Sequence, residues 1–232
     1  MKIAKMSAEL IDKMGSDLSV VNAARVSFAK EHKELQDNDP KLINYLAAHK
    51  HWTPFAHCFL SFRIKAPIFV ARQLVKHQVG LAWNEVSRRY VDDEPEFYLP
   101  GKGQWRHKAE NVKQGSTGSG AKIYATPQTE DLWGDYDNEF DPDLYADLIT
   151  TNCLELYLNM IAGGVAPEQA RMVLPQNTMT EWIWSGSLAA FARVCKLRLD
   201  PHAQQETQEI ARQIFNAVPT EFEHSWKALM EN

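Results

Sequence analysis

No stretch of the sequence approaches the roughly 20 consecutive apolar residues of a membrane-spanning helix, so no transmembrane segment is expected. Cysteine is scarce. Cys58, Cys153 and Cys195 are odd in number, widely spaced and form no CxxC. That argues against a disulfide framework or a structural zinc cluster and fits a reducing cytoplasm. The opening Met-Lys-Ile-Ala-Lys-Met lacks the apolar run of a secretory leader. No GxGxxG occurs, so a Rossmann-type dinucleotide crevice is not expected. Basic charge is in deficit: 25 Lys and Arg stand against 30 Asp and Glu, for a net charge of −5. A general nucleic-acid binder carries the opposite balance. Internal repeats and low-complexity tracts are also missing.

What is present is enough apolar material for a core. The residues AVILMFWYC make up 44% of the 232 positions and charged residues 24%. That is the balance of a globular domain, and one domain over 1–232 is expected. Periodicity then assigns elements. Residues 17–28 read as a short helix with Val20, Val21, Ala24 and Val26 on its apolar side. Residues 40–49 read as a second, opened by Pro40. Pro54, between His51 and His57, argues against a continuous helix there. Residues 59–65 alternate, with Leu60, Phe62 and Ile64 on one side, as in a half-buried strand. Pro67 ends it and opens a helix over 68–77, on which Arg72 and Lys76 share a face. Five glycines and an acidic run over 130–143 mark about 100–142 as a mobile insertion, either an acidic excursion or a lid. A long helix over 143–162 carries Leu144, Leu148, Thr151, Leu154, Leu158 and Ile161 at helical steps and stops at Gly163-Gly164. Pro167 begins a short helix carrying Arg171. Residues 176–184 read as a strand with Trp182 and Trp184 on one side. Ser187 caps a helix to about 198, and Pro201 opens a last helix over 202–216. Strands that do not alternate regularly with helices indicate an α+β fold.

The chemistry concentrates in residues 72–90, where Arg72, Lys76, His77, Asn84, Glu85, Ser87, Arg88 and Arg89 gather in an otherwise acidic chain. Arginine's planar fork matches phosphate oxygens, and serine with free backbone N–H groups completes such a cradle. Asn and Glu suit the polar edges of a nucleobase or flavin. These residues indicate a site for an anionic ligand.

This segment resembles the signature of flavin-dependent thymidylate synthases, an Arg-His-Arg triplet followed after a short spacer by Ser. Here it reads Lys76-His77-Gln78, eight residues, then Ser87. Further blocks in the family's order resemble it as well. They are Ala-Ala-Arg-Val-Ser-Phe at 23–28, His51 with Thr53-Pro54-Phe55 and His57, Ala170 to Pro175, and Leu197-Arg198 with His202-Ala203-Gln204 and Glu206. Three positions depart from the pattern. Lys76 keeps a charge without the fork, Gln78 keeps donors without the charge, and Ala56 replaces an acidic residue.

The resemblance implies a central, mainly antiparallel sheet flanked by helices. It implies reductive methylation of dUMP to dTMP, with 5,10-methylenetetrahydrofolate as carbon donor and NADPH as reductant through FAD. On that basis dUMP would meet Gln73, Glu85, Ser87, Arg88, Arg89, Arg171 and Arg198. Arg89 and Arg171 would take its phosphate. Arg198 would approach the uracil, where a cation favours the N3-deprotonated ring. FAD would meet Ser27, Thr53, Lys76, His77, Gln78, Asn84, Glu85 and Arg193. Arg198, Ser87 and His51 would be the catalytic residues. A homotetramer with active sites between subunits is implied too, with neither nucleic acid nor membrane as partner. His49, His51 and His57 lack a ligand pattern, so no metal is expected. Cys195, among Phe191, Ala192, Val194 and Leu199, reads as an inert buried thiol, which argues against an enzyme-linked intermediate. Two alternatives stand beside this reading: a related flavoenzyme modifying another pyrimidine nucleotide, or a nucleotide-binding protein without flavin chemistry.

Overall fold

The computed structural model describes residues 1–110, 115–124 and 139–232. In chain order the strands are β1 (Lys2–Ile3), β2 (Ser7–Met14), β3 (Phe59–Pro67), β4 (Leu81–Glu85), β5 (Glu96–Phe97), β6 (His107–Lys108), β7 (Ser116–Thr117), β8 (Ile123–Tyr124), β9 (Glu139–Phe140) and β10 (Met179–Ser187). The helices are α1 (Asp17–Arg25), α2 (Asp39–Ala48), α3 (Thr53–Ala56), α4 (Ile68–Leu74), α5 (Pro142–Ala162), α6 (Pro167–Ala170), α7 (Leu188–Arg198), α8 (Gln205–Ala217) and α9 (Glu223–Glu231). The described residues fall into two compact units. The first contains Met1–Lys5, Pro67–Phe69 and Val86–Thr180; the second contains Met6–Ala66, Val70–Glu85 and Glu181–Asn232.

The second unit is organised by a four-stranded sheet in the order β2-β3-β10-β4. β2 runs antiparallel to β3, and β4 antiparallel to β10, so the α+β class with a mainly antiparallel sheet holds. The alternation of β3 does what its pattern predicts. Leu60, Phe62 and Ile64 are fully buried, while Arg63 on the other face pairs with Glu181 at 2.6 Å. Trp182 and Trp184 of β10 also face the core. Phe191 of α7 packs edge-on against Phe62 and Trp184, with ring centroids 5.1 and 5.4 Å apart. Ser187 ends β10 and caps α7, its Oγ accepting from the N–H of Ala190 at 3.2 Å.

Three of the expected boundaries that move do so for a clear local reason. The helix after Pro67 ends at Leu74, because the chain turns over 75–80 and Gly80 adopts φ +76. β10 begins at Met179, because Thr178 folds back on the carbonyl of Pro175 through both its N–H and its hydroxyl. α8 begins at Gln205, because Asp200 first captures the N–H of His202 in a side-chain turn. Two elements carry no local signal. β2 is an irregular strand with a bulge between Leu10 and Asp12. α9 has no capping side chain of its own; the carboxylate of buried Asp17 accepts from the N–H groups of His224 and Ser225 at 2.9 and 2.8 Å.

In the first unit β1 pairs with β5 in parallel, and Phe97 bridges to Thr178. α5 spans the expected residues, with Gly164 at φ +83 beyond its end. Its buried face differs from the expected stripe. Thr150, Leu154 and Tyr157 face inward, whereas Leu144, Leu148, Ile149, Leu156 and Leu158 are exposed, Leu144 at 63%. The leucine spacing is helical, but the unit's own core takes only Leu154 from it. The start of α5 is anchored by Asp143, which accepts from the Gly103 N–H and the Trp105 indole, both at 2.8 Å. Within the glycine-rich insertion β6 pairs with β7 and β8 with β9. Residues 111–114 and 125–138 lie outside the described residues, and with them much of the acidic run and the expectation of a mobile segment.

Candidate active site

The signature segment runs from the last turn of α4 into the edge strand β4. Two glycines set its path. Gly80 turns the chain with φ +76, and its carbonyl accepts from the Ser187 N–H at 3.1 Å. Gly186, opposite Leu81 in the sheet, lies so close that a Cβ there would collide with the Gly80 carbonyl. The α4–β4 turn is thereby pinned to the start of α7, the helix that carries Arg193 and Arg198.

This placement brings three of the expected residues together. The Nε–H of Arg198 donates to Nε2 of His77 at 2.8 Å, and its Nη2 reaches the Gln73 carbonyl at 3.4 Å. The Gln73 side chain is held from α8: its Nε2 donates to Gln204, and its Oε1 accepts from the Thr207 hydroxyl at 3.2 Å. Burial, together with the charges of Arg198 and Arg193, pushes the His77 imidazole below its ordinary pKa. Burial also lowers that of Arg198. The cluster is a half-buried guanidinium fixed on one edge, with its remaining N–H groups able to meet an acceptor.

A cleft of about 400 Å³ in the same unit gathers two more expected residues, His51 and Arg193. Its floor is apolar, with Leu46, Phe55, Ala189 and Ala192, while Lys50 and Lys196 add positive charge to its rim. No Asp or Glu is among its lining residues. Arg193 crosses to the signature segment and donates to the Val79 carbonyl at 2.5 Å. Burial and the neighbouring Lys50 lower the pKa of the Lys196 ammonium. An apolar floor under a cationic rim fits a fused-ring cofactor that carries phosphate. Lys50, Lys196 and exposed Trp52 are absent from the sequence-based expectation; individually each reads as a surface residue.

The other expected flavin residues are exposed. Ser27 lies in a 3-10 turn over Val26–Phe28, and Thr53 is the first residue of α3. Lys76, Gln78 and Asn84 project from the signature segment, and Glu85 ends β4 next to the Trp83 indole, which donates to it at 3.2 Å. Trp83 stacks on Trp182 with ring centroids 4.2 Å apart.

The remaining dUMP residues belong to the first unit. Ser87, Arg88 and Arg89 form the turn that follows β4, in which the Tyr90 N–H donates to the Ser87 carbonyl at 3.0 Å. Arg88 is held by the Asp93 carbonyl at 2.9 Å. Arg89 donates to the Tyr90 hydroxyl at 2.8 Å and lies over its ring. Arg171, in the 3-10 turn after α6, makes a 3.3 Å contact with the Glu168 carbonyl. Arg89 and Arg171 are exposed, and neither has a carboxylate partner among the described residues.

Cys58 and Cys195 behave as packing residues. Burial pushes the thiol of Cys195 up to about 12 and, with Asp17 nearby, that of Cys58 up to about 11. Among the described residues no group of His, Cys, Asp and Glu has the arrangement of a metal site. None of the described helices is long and apolar enough to cross a membrane.

Fold and site together define a class: an α+β protein with an arginine–histidine–glutamine cluster beside a cationic, apolar-floored cleft. The chain belongs to the family described as thymidylate synthase complementing protein, whose model matches residues 9–222. It is 35% identical over 225 residues to a flavin-dependent thymidylate synthase of Thermosipho africanus, covering 96% of this chain and 90% of that one. It is 36% identical to one of Thermus thermophilus, covering 96% and 75%. Among solved structures it resembles the UMP/dUMP methylase PolB of Streptomyces cacaoi bound with 5-Br dUMP. The TM-score is 0.82 at 28% identity, covering all of this chain and 97% of that one.

Proposed function

We propose that this chain is a flavin-dependent thymidylate synthase. It methylates dUMP to dTMP with 5,10-methylenetetrahydrofolate as carbon donor and NADPH as reductant through FAD. The observation that supports this most is the Gln73–His77–Arg198 cluster at the head of the signature segment, within a family match that runs from residue 9 to 222.

FAD, when bound, supplies the redox chemistry. The protein binds and orients. Arg89 and Arg171 hold the dUMP phosphate with forked hydrogen bonds, helped by Ser87 and the backbone of Arg88. Arg198 turns its free guanidinium edge to the pyrimidine and stabilises negative charge on the ring as the carbon to be methylated becomes electron-rich. Gln73 and Glu85 contact the nucleotide beside it. His51 and Arg193, with Lys50 and Lys196, hold the anionic part of the flavin over the apolar floor. Ser27, Thr53, Lys76, His77, Gln78, Asn84 and Glu85 complete its surroundings. Cys58 and Cys195 do not act as nucleophiles, because burial keeps them protonated.

The enzyme works in the cytoplasm as a homotetramer with active sites between subunits. The exposed apolar face of α5 supports assembly, since such a surface favours a partner over water. Light scattering should give the mass of four chains.

A second reading has its own support, because the solved relative PolB is a methylase of both UMP and dUMP. One experiment separates the two. Purified protein is given FAD, NADPH, methylenetetrahydrofolate and equal amounts of UMP and dUMP, and products are weighed by mass spectrometry. FAD-dependent dTMP alone supports the main reading. A methylated ribonucleotide in comparable yield supports the second. Bound but unchanged nucleotide with NADPH untouched overturns both.

A further inference from the structure

In the proposed function Arg198 meets the pyrimidine, and what fixes its direction is visible. A guanidinium is a flat fork, so anchoring one N–H sets the plane in which the others point. Here Nε–H is anchored by Nε2 of His77 at 2.8 Å, with a longer contact from Nη2 to the Gln73 carbonyl at 3.4 Å. A ring nitrogen that accepts a hydrogen bond carries no proton, so His77 is the neutral tautomer protonated on Nδ1. The neighbouring Gln73 side chain cannot take over. The Gln73 amide is spent on both sides, on Gln204 and on Thr207.

We propose that His77 is a positioning residue: its Nε2 lone pair anchors Arg198 and turns the outer Nη1/Nη2 edge of the guanidinium toward the pyrimidine. This rests on the dUMP reading above. It gives His77 a role exerted through Arg198 in addition to its place beside the flavin.

The charges around the ring suit the role. Arg198 and Arg193 face it from α7, and Lys76 precedes it on its own segment. Uncharged Gln204, just before α8, and Thr207 in it meet the neighbouring Gln73. Among the described residues no carboxylate contacts His77. The ring therefore stays neutral down to a lower pH than an ordinary histidine. Once it is protonated, an N–H faces the Arg198 N–H and the anchor is lost. The anchor is complete above the ordinary histidine value of about 6.5 and disappears as pH falls through the depressed value.

The test is calorimetric titration of dUMP into the FAD-loaded enzyme between about pH 5 and 8, with wild type, His77→Ala, His77→Gln, Arg198→Ala and the double alanine variant. At the upper pH His77→Ala should weaken binding about tenfold or more, the scale of a hydrogen bond to a charged group. His77→Gln, whose amide oxygen can accept where Nε2 does, should recover most of that loss. Wild type should lose extra affinity in acid that His77→Gln does not. The limb from the nucleotide's own phosphate, titrating near about pH 6, is common to all variants. In the Arg198→Ala background, removing His77 should cost nothing further. The proposal is overturned if His77→Gln binds as weakly as His77→Ala, if its acid limb matches wild type, or if His77→Ala costs the same with Arg198 absent. Failure of wild type to bind dUMP at any pH would instead remove the proposed function itself.

Discussion

Arg89 and Arg171 are exposed and held by neutral partners, a tyrosine hydroxyl and a backbone carbonyl. Neither contact sustains the fold, so replacement should cost binding rather than stability. Arg89→Ala and Arg171→Ala are each expected to weaken dUMP binding by about 1–3 kcal/mol, the worth of a hydrogen bond to a charged group, with little change in melting temperature. Unaltered dUMP affinity in both would refute the phosphate assignment. Gln78 is exposed and its side chain has no hydrogen-bond partner among the described residues. Gln78→Arg should therefore tighten FAD, read by flavin retention on gel filtration; equal retention would mean that Arg193, Lys50 and Lys196 already supply the charge. At this scale the site was legible wherever residues adjoin in the chain, as Lys76 to Arg89 do. Lys50 and Lys196 were not legible. They meet only because α2 and α7 line one cleft, and an isolated lysine gives no sign of that.

Elements were legible where their signals are local. Pro67, the alternation of β3 and the Ser187 cap mark boundaries by their own chemistry. α9 was not, because its cap is Asp17, 207 residues earlier. β2 was not, because its exposed, bulged pattern gives no period. The exposed stripe on α5 shows the limit of periodicity: it reports the helix but not which face finds cover. Two element-scale outcomes follow from packing. Gly186→Ala should destabilise by at least about 1–3 kcal/mol, because the Gly80 carbonyl, which cannot swing aside, blocks the new Cβ together with the Leu81 side chain. Since that contact also pins the signature turn, dUMP affinity should fall with the urea midpoint; a variant of wild-type stability would contradict the close approach. The start of α2 is a second case. The carboxylate of Asp39 is buried, which raises its pKa. Hydrogen bonds from Arg25, the Gln36 N–H and His32 outweigh burial and hold it below the ordinary value. This stabilisation is present above about pH 4 and is lost as pH falls through the folded value. Asp39→Asn should cost about 2–3 kcal/mol at neutral pH, below the ~3–5 for a fully buried broken pair because Arg25 is partly exposed. Urea titrations at neutral and acid pH should converge for wild type and variant; a constant gap would place the pair outside the stability balance.

At the scale of the whole molecule, both compact units are assembled from separate stretches of chain, so neither corresponds to a continuous piece that truncation could isolate. Ligands that bind the folded chain should stabilise it by mass action. dUMP at a hundredfold excess over its dissociation constant should add about 2.7 kcal/mol, visible as a higher melting temperature. Arg171→Ala should lose that increment without losing the unliganded melting point. Composition speaks at this scale, because charge balance and cysteine scarcity are properties of the entire chain. The division into two units was not visible, since their pieces interleave. One feature of the second unit has an optical consequence. Trp83, on the strand that carries Asn84 and Glu85, packs with Trp182 and Trp184 of the neighbouring β10. Indoles so close exchange excitation among themselves, and a flavin nearby is an efficient acceptor of it. With FAD at Asn84 and Glu85, as proposed, the trio is a built-in light source, and its ultraviolet emission should dim as FAD arrives, with no label attached.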